Sequence, residues 1–117
     1  MDKISIWHNP RCSKSRDSLK LLQDKEIDAE VVKYLDEVPS KEELEEMLKM
    51  LGMNSARELM RTKEAVYKEL NLKDETSEMA LIEAMLANPK LIERPIVIKG
   101  NRAAIGRPIE KVIELLG

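Results

Sequence analysis

Residues 4–35 spell strand, helix, strand in that order, and a single helix between two strands leaves little choice of topology. Ile4 to Trp7 alternates and then meets Asn9-Pro10, a turn signal. Ser13 to Lys25 follows, with Leu19, Leu21 and Leu22 at helical spacing. Glu30 to Leu35 carries Val31, Val32, Tyr34 and Leu35 and reads as a second strand. Two strands joined this way run parallel through a right-handed crossover, which is a βαβ unit.

The middle of the chain changes character. Ser40-Lys41-Glu42-Glu43 is a capping box, with Ser40 at the N-cap and Glu43 reaching back. Leu44, Met47, Leu48 and Leu51 mark the apolar face of the helix it opens, and Gly52 stops it. Ser55-Ala56-Arg57-Glu58 is a second capping box, opening a short helix through Leu59 and Met60. Further helical pieces cover Lys63 to Leu70 and Ser77 to Ala87, the last halted by Asn88-Pro89. Strands then return at Pro95-Ile96-Val97-Ile98 and Ala103-Ala104-Ile105, around a Gly100-Asn101 turn. Gly106-Arg107-Pro108 leads into a closing helix, with Pro108 suited to its first turn and Ile109, Val112, Ile113 and Leu116 on its apolar face. The order βαβ, helices, ββα predicts an α/β thioredoxin-like fold: one domain over 1–117, a mixed four-stranded sheet, and an all-helical insert at about 40–92.

A chain of 117 residues has room for one modest core, and with no Phe and only 3% aromatic residues that core must be aliphatic. Trp7 and the seven Met are expected to pack in it. The net charge of −2 offers no electrostatic case for binding nucleic acid or a membrane surface, and no apolar run approaches a membrane span. A monomer is expected. The chain enters a strand directly and no signal peptide is expected, and its lone cysteine makes neither an internal disulfide nor a thiol-rich metal site. No metal ligand set and no bound cofactor are expected, and a reducing cytoplasm is the natural setting.

That cysteine, Cys12, falls where the first strand turns into the first helix. A thiol there meets unpaired backbone N–H groups and the positive end of the helix dipole, with Arg11, Lys14 and Arg16 nearby. Each favours the thiolate, which is the nucleophile. A lone cysteine is more often an inert small hydrophobe, but this one has cationic, turn-rich neighbours. Arg61, Arg94 and Arg107 stand at element boundaries. Arginine suits a tetrahedral oxyanion, because its planar fork donates paired hydrogen bonds and keeps its charge; ordinarily it sits on solvated surfaces. In a thioredoxin-like order the segment before the third strand approaches the cysteine turn, and the Arg94-Pro95 bond is expected to be cis. His8, the only histidine, either stabilises the thiolate as imidazolium or orients the turn. Asn9 and Ser15 either hydrogen-bond the sulfur or act as local caps.

These motifs resemble the glutaredoxin-coupled arsenate reductase family, in a shorter branch of it. The resemblance rests on His8-Asn9-Pro10-Arg11-Cys12-Ser13-Lys14-Ser15-Arg16, on Leu59-Met60-Arg61 ahead of Tyr67-Lys68-Glu69-Leu70, on Glu93-Arg94-Pro95-Ile96-Val97-Ile98, and on Ile105-Gly106-Arg107-Pro108. It implies a thioredoxin fold with a helical insert, Cys12 as nucleophile, and Arg61, Arg94 and Arg107 as an oxyanion clamp, with His8, Asn9 and Ser15 in support. The implied substrate is arsenate. The thiolate would attack arsenic and expel an oxygen as water. With no second cysteine to resolve the adduct, glutathione would act as co-substrate and glutaredoxin would make the final exchange. A related group with this fold binds the RNA polymerase α subunit and senses thiol stress. Its members commonly carry Cys-x-x-Cys, where this chain has Ser15, and tend to lack the last clamp arginine, here Arg107. A monothiol glutaredoxin-like reductase would need neither insert nor clamp.

Overall fold

The computed structural model describes residues 3–117. In chain order the elements are β1 (Ile4–Trp7), α1 (Ser13–Asp24), β2 (Glu30–Val32), α2 (Lys41–Met50), α3 (Ala65–Glu69), α4 (Glu78–Ala87), β3 (Ile96–Lys99), β4 (Arg102–Ile105) and α5 (Glu110–Leu116). Single 3-10 turns lie at Ala56–Leu59, Leu72–Asp74 and Pro89–Leu91. The chain forms two compact units, one from residues up to 37 and from 94 onward, the other from Val38–Glu93. Among the described residues no helix is long and apolar enough to cross a membrane.

The first unit holds a four-stranded sheet in the order β2-β1-β3-β4. β1 runs parallel to β2 and antiparallel to β3, and β3 is antiparallel to β4, so the sheet is mixed as the element order requires. Ile6 sits opposite Val97, and Val97 opposite Ala104. Ile6 and Val97 form one core with Leu22 of α1 and Val112 and Leu115 of α5. Burying each such aliphatic side chain contributes roughly 1.5–3 kcal/mol.

Local chemistry sets the ends of α1. Cys12 is its N-cap residue with extended backbone, and Glu26 (φ 58) follows the C-cap in the left-handed region. The amides of Glu26 and Ile27 donate back to Gln23 and Leu22 carbonyls at 2.9 Å each, a Schellman ending without glycine. The helix also buries Ser15 and Ser18 with Leu22, a partly polar inner face that leucine spacing alone does not reveal.

β2 is shorter than its β-branched composition predicts. The chain turns at Lys33, whose carbonyl accepts from Asp36 and Glu37, and this tucks Tyr34 (1% exposed) against Trp7 with ring centroids 6.4 Å apart. Burying one large ring outweighs three more ladder residues on an edge strand. At the other end, α5 starts at Glu110 rather than at Pro108. Pro108 follows a cis bond and its carbonyl accepts from Lys111 at 3.1 Å, one place ahead of the N-cap Ile109. The buried face of α5 is Val112 and Leu115, while Ile113 faces outward at 44% exposure. The Arg94–Pro95 bond is cis, as expected.

The second unit is helical, and both capping boxes are present: Ser40 with Glu43 at α2, and Ser55 with Glu58 at the 3-10 turn. Gly52 (φ 70) closes α2. Arg57 joins the pieces, donating to the Tyr67 hydroxyl and to the Leu72 and Glu75 carbonyls. An antiparallel bridge, Met60 opposite Ile92, closes the unit at its ends. Met47, Met60 and Met85 are buried, but Met79 is 42% exposed and Met50 and Met53 are half-buried, so methionine is not uniformly core; Met1 lies outside the described residues.

Candidate active site

The site grows from the turn after β1. His8 extends the parallel ladder by one bond, its amide donating to the Val32 carbonyl at 2.8 Å. Asn9 then shapes the turn twice. Its carbonyl accepts from the Cys12 amide at 3.0 Å, and its side-chain Oδ1 accepts from the Arg11 amide at 3.0 Å. Arg16 reaches back and donates to the Pro10 carbonyl at 2.9 Å. Ser15 Oγ accepts from the Asn9 amide at 2.9 Å and shares a 2.9 Å hydrogen bond with His8 Nδ1. Ser15 is fully buried and His8 is 5% exposed, so this pair locks the turn from within.

Cys12 is 8% exposed and unpaired. Burial pushes its thiol up, but the Ser15 amide, the Arg94 guanidinium, the Lys14 amide and the Arg107 guanidinium together bring it below its ordinary value. The two amides act on the sulfur without closing a capping hydrogen bond of ordinary geometry. Arg107 is aimed: Nη2 donates to Sγ at 3.4 Å, and Nε donates to the Arg94 carbonyl at 2.8 Å. The structure therefore brings Cys12, Arg94 and Arg107 together. His8 moves the other way. Burial first, then the Lys33 and Arg16 charges, lower its pKa against the opposing Ser15 hydrogen bond. Burial and the neighbouring cations favour the neutral ring, and its Nδ1 is engaged by Ser15, which suits the turn-orienting one of its two expected roles. The Asn9 and Ser15 side chains bond within the turn, and Ser15 also directs its amide to the sulfur.

Arg61 belongs to the helical unit. Its amide donates to the Leu91 carbonyl at 2.7 Å beside the closing bridge. Its guanidinium is held by Glu64 at 2.6 Å and lies 3.8 Å from Glu93. Sequence reasoning missed Ser18 and the close approach at Gly106, where an added Cβ would meet Ser18 Oγ at 2.5 Å and Pro95 Cγ at 2.8 Å. The signal for Ser18 was its place on one helix face with Ser15 and Leu22. Among the described residues no group of three or more His, Cys, Asp or Glu side chains is placed to hold a metal.

A mixed four-stranded sheet with a lone cysteine at the start of the first helix defines a thioredoxin-like fold. Comparison with known proteins narrows the class. Residues 7–115 match the ArsC family. The chain is 57% identical to the uncharacterized protein YfgD of Escherichia coli over 98% of both chains. It is 49% identical to an arsenate reductase of Neisseria meningitidis, covering 99% of this chain and 100% of that one. A solved arsenate reductase from Vibrio cholerae superposes with a TM-score of 0.93 at 51% identity, over 97% of each chain. The chain belongs to the ArsC family.

Proposed function

We propose that this protein is an arsenate reductase that depends on glutathione and glutaredoxin. The observation that carries the reading is the Arg107 guanidinium 3.4 Å from a Cys12 sulfur whose pKa is lowered. Similarity to proteins named arsenate reductase supports the choice of oxyanion. Cys12 thiolate attacks arsenic, and one oxygen leaves as water after taking protons. Glutathione thiolate displaces a second oxygen the same way, leaving arsenic(V) between two sulfurs. A glutaredoxin thiolate then attacks glutathione's sulfur. The S–As electron pair stays on arsenic, which becomes arsenic(III), while the glutaredoxin–glutathione disulfide forms. Water cleaves the remaining Cys12–arsenic bond, and arsenite leaves.

Arg94 and Arg107 neutralise the oxygens through a preorganised, permanently charged cradle. Arg61 is kept as a third ligand on the family resemblance alone, and would exchange Glu64 for substrate oxygen. His8, Asn9 and Ser15 hold the turn that presents the sulfur. A reducing cytoplasm would keep Cys12 as the free thiol this chemistry needs. The test is an NADPH-coupled assay with arsenate, glutathione and glutaredoxin. Cys12→Ser is expected to abolish turnover while the protein stays folded, and Arg94→Lys to lower kcat/KM by about 10²-fold. Turnover retained by the Cys12 variant would reject the reading.

A further inference from the structure

A cavity of about 280 Å³ opens between the first turns of α1 and the segment that follows β4. Lys14 and Asp17 line it from α1, and Arg107, Pro108, Ile109 and Glu110 from the other side. Two cations and two anions thus face one space. They are not spent on one another, for none of the four makes an ion pair among the described residues. Lys14 and Asp17, three apart on one helix, are spaced to pair and do not. Arg107 connects the cavity to the chemistry. Its Nη2 is on Cys12 Sγ and its Nε on the Arg94 carbonyl, which leaves Nη1 uncommitted. Pro108 and Ile109 add apolar wall.

We infer that this cavity seats the thiol that acts on the Cys12 adduct, and that its ligand is a small zwitterionic peptide thiol of the glutathione type. The inference rests on the reading of Cys12 as a nucleophile. Charges of both signs that line one cavity without pairing with one another suit a ligand that carries both signs. Glutathione brings two carboxylates and one ammonium on a thiol-bearing tripeptide. Lys14 and Arg107 Nη1 take carboxylates, Asp17 and Glu110 take the ammonium, and the thiol is delivered toward the sulfur that Arg107 already touches.

The experiment needs no arsenate. Cys12 is converted to its methyl disulfide, and the rate at which added thiol removes the adduct is followed by mass spectrometry. In that exchange an attacking thiolate forms one S–S bond as another breaks, and the departing thiolate takes up a proton. Glutathione is compared with N-acetylglutathione, which lacks the ammonium, and with 2-mercaptoethanol. The wild-type protein should prefer glutathione to its N-acetyl form. The Asp17→Asn, Glu110→Gln double variant should slow glutathione by about tenfold, the loss of roughly one charge-assisted hydrogen bond, and leave 2-mercaptoethanol unchanged. The sign is diagnostic: glutathione is a net anion, so if only the general field mattered, removing two negative charges would speed it. Faster or unchanged exchange in that variant, or no preference against the N-acetyl form, overturns the cavity assignment while leaving arsenate reduction untouched. A preserved preference in a protein that does not turn over arsenate would instead keep the cavity and remove the arsenate reading.

Discussion

Gly106 is where packing, rather than chemistry, holds the site. Its hypothetical Cβ would lie 2.5 Å from Ser18 Oγ, 2.8 Å from Pro95 Cγ and 3.4 Å from Val112 Cγ2. Carbon atoms attract best at about 3.5–4.0 Å, so the first two contacts are steep overlaps. The backbone has no easy retreat, because the Gly106 amide donates to the Pro95 carbonyl at 2.9 Å. Ser18 is fully buried, so its hydroxyl cannot swing into solvent. Gly106→Ala should therefore cost about 2 kcal/mol, a fall in Tm of roughly 6–10 °C. Ser18 Oγ has no hydrogen-bond partner, and an unsatisfied buried hydroxyl is itself unfavourable by about 1–3 kcal/mol. Ser18→Ala alone should thus be neutral or mildly stabilising. In the double variant the 2.5 Å overlap is gone and the Pro95 contact remains. About half the loss should return, a coupling near 1 kcal/mol against the 0.3–0.5 kcal/mol expected of independent sites. Urea melts of the four proteins measure it. Additive effects, or an unaltered Gly106→Ala protein, would refute this account.

Arg107→Gln removes a positive charge from Cys12 and should move the midpoint of its pH-dependent alkylation upward, slowing alkylation at neutral pH; an unmoved midpoint would take Arg107 off the sulfur. The folded His8 ring binds its proton less tightly than an unfolded histidine near 6.5. The unfolded chain therefore holds more protons below that pH. The contribution is intact above about 6.5 and is lost as pH falls, by at most about 1.4 kcal/mol per pH unit. His8→Gln should flatten urea stability between pH 7 and about 5.5, and an unchanged slope would contradict the burial argument. Glu64→Gln frees the Arg61 guanidinium from a half-buried ion pair worth about 1 kcal/mol, so the KM for arsenate should fall by up to about fivefold if Arg61 is a ligand, and stay put if it is not.

What could be read from the sequence was local. Ser40, Ser55 and Gly52 mark their helices because caps and stops are decided within one turn of chain. Cys12 at the start of α1 was legible for the same reason. The end of β2 was not, because Tyr34 continues an apolar run and only its contact with Trp7 turns the chain. The burial of Ser15 and Ser18 was not legible, since hydroxyls carry no hydrophobic signal even on an inner face. Arg107 could be flagged at an element boundary. That it would meet a sulfur 95 residues away is a property of the sheet order β2-β1-β3-β4 and of no local pattern.

The groups that favour the Cys12 thiolate are fixed amides and guanidiniums, while burial favours the neutral form of the His8 ring beneath the turn. Amides of Ser15 and Lys14 do not titrate, and guanidinium groups stay charged far above the pH at which thiols ionise. An imidazolium would behave oppositely, losing its proton over the range in which thiolate begins to form, so its help would fade as it was needed. Burying His8 beneath the turn takes that variable charge away and leaves a ring whose Nδ1 engages Ser15. Ser15 in turn anchors the Asn9 amide through Oγ and directs its own amide to the sulfur. One serine thus links the interior of the turn to Cys12, whose thiol is lowered by fixed dipoles and permanent charges.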